Sequence, residues 1–320
     1  MSVSPLIQVN RISHRYGDLT ALREISLNVN PKEIYGLLGP NGGGKSTFFK
    51  ILSTMMLPSE GDIAVGGYDV KKYPDEVRAQ LGVIFQHPSV DEQLTVYENL
   101  KYHGLCYGVR GDQLRERAEL LISQLGLSGR ENDRAENLSG GLKRRVEIAK
   151  GLIAEPKILL MDEPSTGLDP VARRDLWDLI KQLNRDEDIT FIVTTHIMEE
   201  AENCSRIGIL DRGVLVAEGT PNELKSEIGG DMIEIQTQDA EQFAQDLQTD
   251  YQISPQIVQQ TVRFEQQDGH HFIPQLVEHY PGRVDGITVR KPTLEDVFVY
   301  QTGHAFGNGE ARRENLEEQE

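Results

Sequence analysis

Ile34-Tyr35-Gly36-Leu37-Leu38-Gly39-Pro40-Asn41-Gly42-Gly43-Gly44-Lys45-Ser46-Thr47 is the stretch on which the reading of this chain turns. Ile34 to Leu38 is apolar without alternation, as a strand buried on both faces of a parallel sheet must be. A glycine-rich turn follows, and from Lys45 onward the pattern is that of a helix start. Gly39, four residues and then Gly44-Lys45-Ser46 fit the template of a phosphate-binding loop. Such a loop presents backbone N–H groups to an anion, and the helix N-terminus adds partial positive charge. Glycines stand where the chain needs positive φ or close approach to the anion. Lys45 is expected to reach the β- and γ-phosphates of a nucleotide and Ser46 to offer its hydroxyl to Mg²⁺, with Thr47 placed for a second phosphate contact.

Two further stretches add to the loop. Ile158-Leu159-Leu160-Met161 ends in Asp162-Glu163-Pro164, an apolar strand that delivers two carboxylates to one sheet edge. In open α/β sheets ligands bind outside the C-terminal strand ends, so Asp162 is expected to orient hydrated Mg²⁺. Glu163, one residue further, is free to accept a proton from the water that attacks the γ-phosphate. Between loop and strand lies Leu138-Ser139-Gly140-Gly141. Ser139 is a good N-cap for a helix from Gly141 to Ile153, whose start favours an anion, and Gly140-Gly141 permits close approach.

On this ordered trio the first 220 residues resemble the ATP-binding subunit of an ABC transporter, and its drug-resistance and exporter branch in particular. Ser139-Gly140-Gly141 is similar to the family's signature sequence, which contacts the γ-phosphate held by a second subunit. The resemblance therefore implies a head-to-tail homodimer or heterodimer with two shared ATP sites. It also implies a separate multi-span permease as membrane partner, and a place on the cytoplasmic face of the membrane. By the same resemblance Tyr16 stacks on adenine, and Gln86, after the strand from Leu81, touches Mg²⁺ and the attacking water. Asp169, in Ser165-Thr166-Gly167-Leu168-Asp169, communicates across the dimer, although it serves equally as a cap for a helix from Pro170. His196, after the strand Ile189 to Thr195, matches the switch histidine at the γ-phosphate. The pattern is broken at Gly43, where the family has a small residue other than glycine, and at Leu142, where Gln or a basic residue is usual. Gly43 is expected to loosen the loop through backbone entropy. The segment Gln86 to Leu100 resembles the part that faces the membrane subunit, with Val90, Leu94 and Tyr97 as candidate contacts. Leu94, Tyr97 and Leu100 are equally readable as internal packing of a helix.

Composition bounds the alternatives. The chain has 33 basic and 51 acidic residues, a net charge of −18, the opposite of the field that nucleic-acid binding needs. The interval from Lys45 to Ser139 is too short for the coiled-coil insertion of chromosome ATPases, and suits a helical subdomain. One phosphate loop and no internal repeat separate the chain from twin-cassette translation ATPases. The remaining alternative is an ATPase outside transport that acts as a protein-binding switch. No stretch approaches the ~20 apolar residues of a membrane helix, and the first residues do not read as a secretory signal. Cys106 and Cys204 have no metal-ligand spacing, and His270, His271 and His279 read as a solvated polar stretch.

The expected fold is an α/β P-loop ATPase domain over residues 1–228, its helical subdomain at about 87–155. Gly229-Gly230 reads as a linker. Strand, helix, two strands, helix and strand then fill residues 229–302, the order of a small ferredoxin-like α+β domain. Pro292 to Phe298 looks like the ending common in the exporter branch. Residues 303–320, small, polar and acidic, are expected to be disordered.

Overall fold

The computed structural model describes residues 4–258 and 260–306, and its contacts divide the chain into two compact units that meet in sequence at Glu218–Gly219. In chain order the first unit contains β1 (Ile7–Tyr16), β2 (Leu19–Val29), β3 (Ile34–Leu38), α1 (Lys45–Leu52), β4 (Glu60–Val65), β5 (Tyr68–Asp69), α2 (Pro74–Arg78) and β6 (Leu81–Ile84). The helical part follows as α3 (Val96–Cys106), α4 (Gly111–Gln124) and α5 (Gly140–Leu152). β7 (Ile158–Asp162), α6 (Pro170–Asp186), β8 (Thr190–Thr195), α7 (Met198–Ala201), β9 (Arg206–Asp211) and β10 (Val214–Gly219) complete it.

β3, β7 and β8 are buried at every residue, which is why β3 and the first four residues of β7 are apolar runs and β8 sets Phe191-Ile192-Val193 between buried threonines. They lie in a six-stranded sheet of order β10-β9-β3-β8-β7-β6, parallel from β9 through β6. β1, β2, β4 and β5 form a separate antiparallel sheet of order β2-β1-β4-β5. One apolar core joins Ile7, Val9 and Ile12 of β1, Leu37 of β3, Phe48 and Ile51 of α1, and Leu160 of β7. Register sets up the site. Leu38 pairs with Thr195, Thr194 with Asp162, and Met161 with Ile84, so four parallel strands end level at one edge. Gly39, Gln86, Glu163 and His196 follow those four ends.

In the second unit, α8 (Pro221–Ser226) precedes β11 (Asp231–Gln236), α9 (Ala240–Tyr251), β12 (Gln256–Val258), β13 (Thr261–Gln266), α10 (Gly269–His279), β14 (Gly286–Arg290) and α11 (Leu294–Thr302). The sheet runs β12-β13-β11-β14, every pair antiparallel. This is the ferredoxin-like arrangement expected from the element order. Its core is Ile233 and Ile235 of β11, Phe243 and Leu247 of α9, Val262 and Phe264 of β13, and Phe272 and Leu276 of α10. The contact boundary falls before α8, whereas the sequence put the linker after it, because α8 packs on α11. Of the acidic tail, Gly303 closes α11 in the left-handed region, and residues 307–320 lie outside the described residues. No helix among the described residues is long and apolar enough to cross a membrane.

Candidate functional site

The phosphate loop is built by exclusion. A Cβ on Gly39 would lie 2.3 Å from the Leu210 carbonyl oxygen, so only glycine lets β3 turn against the end of β9. Gly39 N–H donates to Thr195 O at 3.2 Å, which ties the loop to β8. Gly44 caps α1 with φ +108°, and having no side chain it takes none of the helix's free N–H groups. Pro40 and Gly43 are buried, Thr47 is half-buried, and Asn41, Gly42 and Ser46 are exposed. Lys45 is only 4 % exposed. Its Nζ donates to Gly39 O at 2.8 Å and Pro40 O at 3.1 Å, and stands 3.4 Å from Glu163 Oε1. Burial lowers the pKa of this ammonium, and the Glu163 carboxylate opposes that shift.

Glu163 is the convergence point. Its Oε2 accepts from Gln86 Nε2 at 3.1 Å and lies 3.1 Å from His196 Nδ1, the latter without the alignment of a hydrogen bond. Its backbone has φ +43°, a conformation that costs a non-glycine residue about 1–3 kcal/mol. Thr194 holds it there, accepting from Glu163 N–H through both O (3.1 Å) and Oγ1 (3.0 Å). The same hydroxyl donates to Asp162 Oδ1 at 2.5 Å. Burial raises the Asp162 pKa, partly offset by that hydrogen bond.

Ser139 caps α5, accepting from Leu142 N–H at 3.4 Å. Ser139 and Gly140 are exposed, and the nearest neighbours of Gly140 and Gly141 are Leu168 and Ala172. A cavity of about 310 Å³ lies beside them, lined by Leu142, Leu168, Asp169 and Ala172. The three signature residues thus face the start of α6 in their own chain, apart from the cluster around Glu163. Asp169 is the N-cap of α6, accepting from Val171 and Ala172 N–H at 2.9 and 3.0 Å, and these bonds lower its pKa. Tyr16 stands exposed at the end of β1, with His14 edge-on at 4.7 Å and Met56 Sδ accepting from its hydroxyl. Leu100 is fully buried, while Val90, Leu94 and Tyr97 are half-exposed.

Among known proteins, the ABC transporter family model matches residues 22–166, and a second model, "ATP-binding protein DrrA1-3-like, C-terminal domain", matches 219–302. The chain is 35 % identical over 308 residues to the daunorubicin resistance ATP-binding protein DrrA3 of Streptomyces coeruleorubidus, covering 93 % of this chain and 96 % of that one. The chain belongs to the family of ABC transporter ATP-binding proteins. Identity is 34 % over 303 residues to the Nod factor export ATP-binding protein I of Cupriavidus metallidurans (94 % and 98 % covered). It is 39 % over 229 residues to the linearmycin resistance ATP-binding protein LnrL of Bacillus subtilis (71 % and 73 %). Among solved structures, cbiO1 of Clostridium perfringens, part of an ABC transporter complex, superposes with a TM-score of 0.66 at 26 % identity (77 % and 95 % covered). The cassette MJ0796, solved as a post-hydrolysis dimer bound to ADP and Pi, gives 0.60 at 28 % (67 % and 98 %). This ABC protein is an ATPase, the ATP-binding subunit of a transporter.

Sequence reasoning missed the charged residues that frame the ABC site. Arg144 and Glu147 are 6 % and 4 % exposed, and Glu200 is 1 % exposed. Glu200 accepts from Thr195 Oγ1 at 2.6 Å and from Ser165 Oγ, which links the base of the His196 loop to the segment after Glu163. No local signal marks them, because Arg144 and Glu147 stand among Lys143, Arg145 and Lys150 on a helix that reads as charged throughout.

Proposed function

We propose that ATP binds at Gly39, Pro40, Asn41, Gly42, Gly43, Gly44, Lys45, Ser46 and Thr47, that Glu163 is the general base of its hydrolysis, and that this drives export through a separate multi-span membrane subunit. The single observation that carries this reading is the meeting of Lys45, Gln86 and His196 on one buried carboxylate. Lys45 and the uncapped start of α1 hold the phosphates, and Tyr16 stacks on the adenine. Gln86 orients water toward Glu163, and His196 contacts the γ-phosphate.

The donor set fits Mg²⁺. One hydroxyl (Ser46), one carboxylate (Asp162) and one amide (Gln86) are hard oxygen ligands, few in number, as suits an ion that takes its remaining ligands from nucleotide phosphates and water. Among the described residues no group of three His, Cys, Asp or Glu could hold a metal alone. A cation beside Asp162 and an anion beside Lys45 would each reverse the shift that burial imposes on those groups. The bound ion would neutralise charge developing on the phosphate oxygens.

Ser139, Gly140 and Gly141 serve the nucleotide of a second subunit, in a head-to-tail dimer, and Asp169 carries the signal across it. The exposure of Ser139, Gly140 and Asp169 in the single chain supports this reading. Residues 1–218 form the ATPase domain, with its helical subdomain at about 87–155, and 219–302, rather than the 229–302 read from the sequence, an accessory domain. Val90, Leu94 and Tyr97 contact the membrane subunit, which places the chain on the cytoplasmic face of the membrane. Export is supported by the resistance and export names of relatives matched over nearly their full length.

The test is affinity purification of tagged Glu163→Gln chain with ATP from detergent-solubilised native membranes. Recovery of a multi-span membrane protein supports transport, and recovery of soluble partners alone favours a protein-binding switch. In solution Glu163→Gln should bind ATP and lose turnover; hydrolysis at the wild-type rate would remove Glu163 from the role of base.

A further inference from the structure

Three side chains on one face of α5, spaced three apart, hold the loop that carries Gln86. Arg144 Nη1 donates to Phe85 O at 3.0 Å, Glu147 Oε1 accepts from Ser89 N–H at 2.5 Å, and Lys150 Nζ donates to Ser89 O. The loop residues Phe85 to Ser89 are themselves exposed, so α5 is their main anchor. Arg144 does more than hold this loop. Its Nε donates to Pro164 O at 2.5 Å, the carbonyl that follows Glu163, and its Nη1 is paired with Glu147 Oε2 at 2.7 Å. One buried guanidinium therefore grips the Phe85–Gln86 peptide and the Pro164–Ser165 peptide one residue beyond Glu163, and the side chains of Gln86 and Glu163 meet at 3.1 Å.

From this geometry we infer that Arg144 is a positioning residue for hydrolysis, setting the Gln86–Glu163 contact and linking it rigidly to the helix that begins at Ser139. The inference rests on Glu163 and Gln86 being the residues that act on water. Burial of a charge is costly unless it is paired and hydrogen-bonded, and here the cost is met by two carbonyls and a carboxylate in a planar fork. A lysine has the charge without the fork, so it cannot grip both carbonyls in the same directions. The link also gives α5 a lever. A movement of α5 when Ser139 engages a second subunit would be transmitted through Arg144 to both reacting side chains, with no part for the phosphate loop.

The experiment measures ATP hydrolysis by the full-length chain against ATP concentration, together with equilibrium binding of a fluorescent ATP analogue and thermal unfolding. Arg144→Lys should lower kcat by about ten- to a hundred-fold, the scale of a misplacement of about 1 Å. Its nucleotide Kd and KM should stay within about two-fold of wild type, since Arg144 touches neither the loop nor Lys45. Wild-type kcat in Arg144→Lys would overturn the inference, and so would parallel loss of kcat and nucleotide binding, the mark of a merely structural residue. Should the lysine variant unfold, Arg144→Met/Glu147→Met removes the charged pair together and leaves an apolar contact in its place. Low kcat with intact nucleotide binding in that folded double variant supports positioning, and recovered kcat refutes it. Glu163→Gln is run beside these variants: if it turns over like wild type, the assignment of the base has failed, whatever Arg144 does.

Discussion

Gly39 and Gly43 lie in one loop, yet a methyl group should have opposite consequences at the two positions. At Gly39 the added carbon would meet the Leu210 carbonyl oxygen at 2.3 Å. Ordinary contact needs about 3.4 Å, so the two backbones must part by about 1 Å. Leu210 cannot yield, because it is fully buried in β9, whose register with β3 is fixed by the pairing of Leu38 with Ile209. The shift therefore falls on the loop, where Gly39 N–H binds Thr195 O and Gly39 O receives Lys45 Nζ. Overpacking of this kind costs about 1–3 kcal/mol, and a displacement of about 1 Å in a positioning element costs on the order of a hundred-fold in turnover. At Gly43 the nearest atoms are Pro40 O at 3.0 Å and Leu210 O at 3.2 Å, and φ is not positive, so a shift of a few tenths of an ångström suffices. Gly43→Ala also narrows the unfolded ensemble, which stabilises by about 0.4–1 kcal/mol where the native conformation suits alanine. Titration of each variant with a fluorescent ATP analogue, and thermal unfolding with and without ATP, compares the two. Gly39→Ala should lose nucleotide binding and the ATP-induced rise in Tm, and Gly43→Ala should keep both. Wild-type affinity in Gly39→Ala, or equal damage in the two variants, would refute the steric argument.

Thr194→Val keeps the shape of a fully buried side chain but strips its hydrogen bonds from Asp162 and Glu163. It should cost about 1–3 kcal/mol and lower kcat; unchanged unfolding and turnover would refute the role given to that hydroxyl. His103 in α3 has its pKa lowered to about 4, by burial first and by the charge of Lys150 second. Its contribution to stability is therefore complete above the ordinary value near 6.5 and is lost as pH falls from there to about 4, because the unfolded chain takes the proton first. Denaturation midpoints should drop more between pH 7.5 and 5 for wild type than for His103→Gln, and equal drops would contradict this. If two chains share each ATP site, Lys45→Ala and Ser139→Arg should each be inactive while their mixture recovers hydrolysis. A mixture as inactive as its components would argue for sites complete within one chain.

What could be read from the sequence was local. Ile34 to Thr47 announces strand, turn and helix because three adjacent segments each have a distinct pattern, and the backbone confirms all three. The ferredoxin-like order of the second unit was legible for the same reason, each strand and helix having its own pattern. The meeting of Gln86 with Glu163 was not legible from chemistry. The two lie 77 residues apart, and only strand register brings them level, so their juxtaposition came from the family resemblance. Arg144 and Glu147 escaped notice for another reason. A charged pair three apart on a helix is ordinarily a solvated face, and nothing local reveals that α5 turns that face inward under Phe85 and Pro164.

Three helix starts decide how the site can be completed. α6 has spent its free N–H groups on the Asp169 carboxylate, whose negative charge would also repel a phosphate. α1 begins at Gly44 with no side chain to cap it, directly after the loop and beside Lys45, so its amides are available to an anion. α5 begins at an exposed Ser139 whose hydroxyl accepts only a long 3.4 Å bond, and two glycines follow it. α1 and α5 are thus the two starts suited to phosphate, yet within the chain the residues at the start of α5 pack on Leu168 and Ala172 rather than on the Glu163 cluster. For both to serve one nucleotide, the α5 start must come from a second chain. The proposed head-to-tail dimer satisfies that requirement twice by symmetry, and through the inferred Arg144 link each α5 that meets its partner's nucleotide is tied to the Gln86 and Glu163 of its own chain.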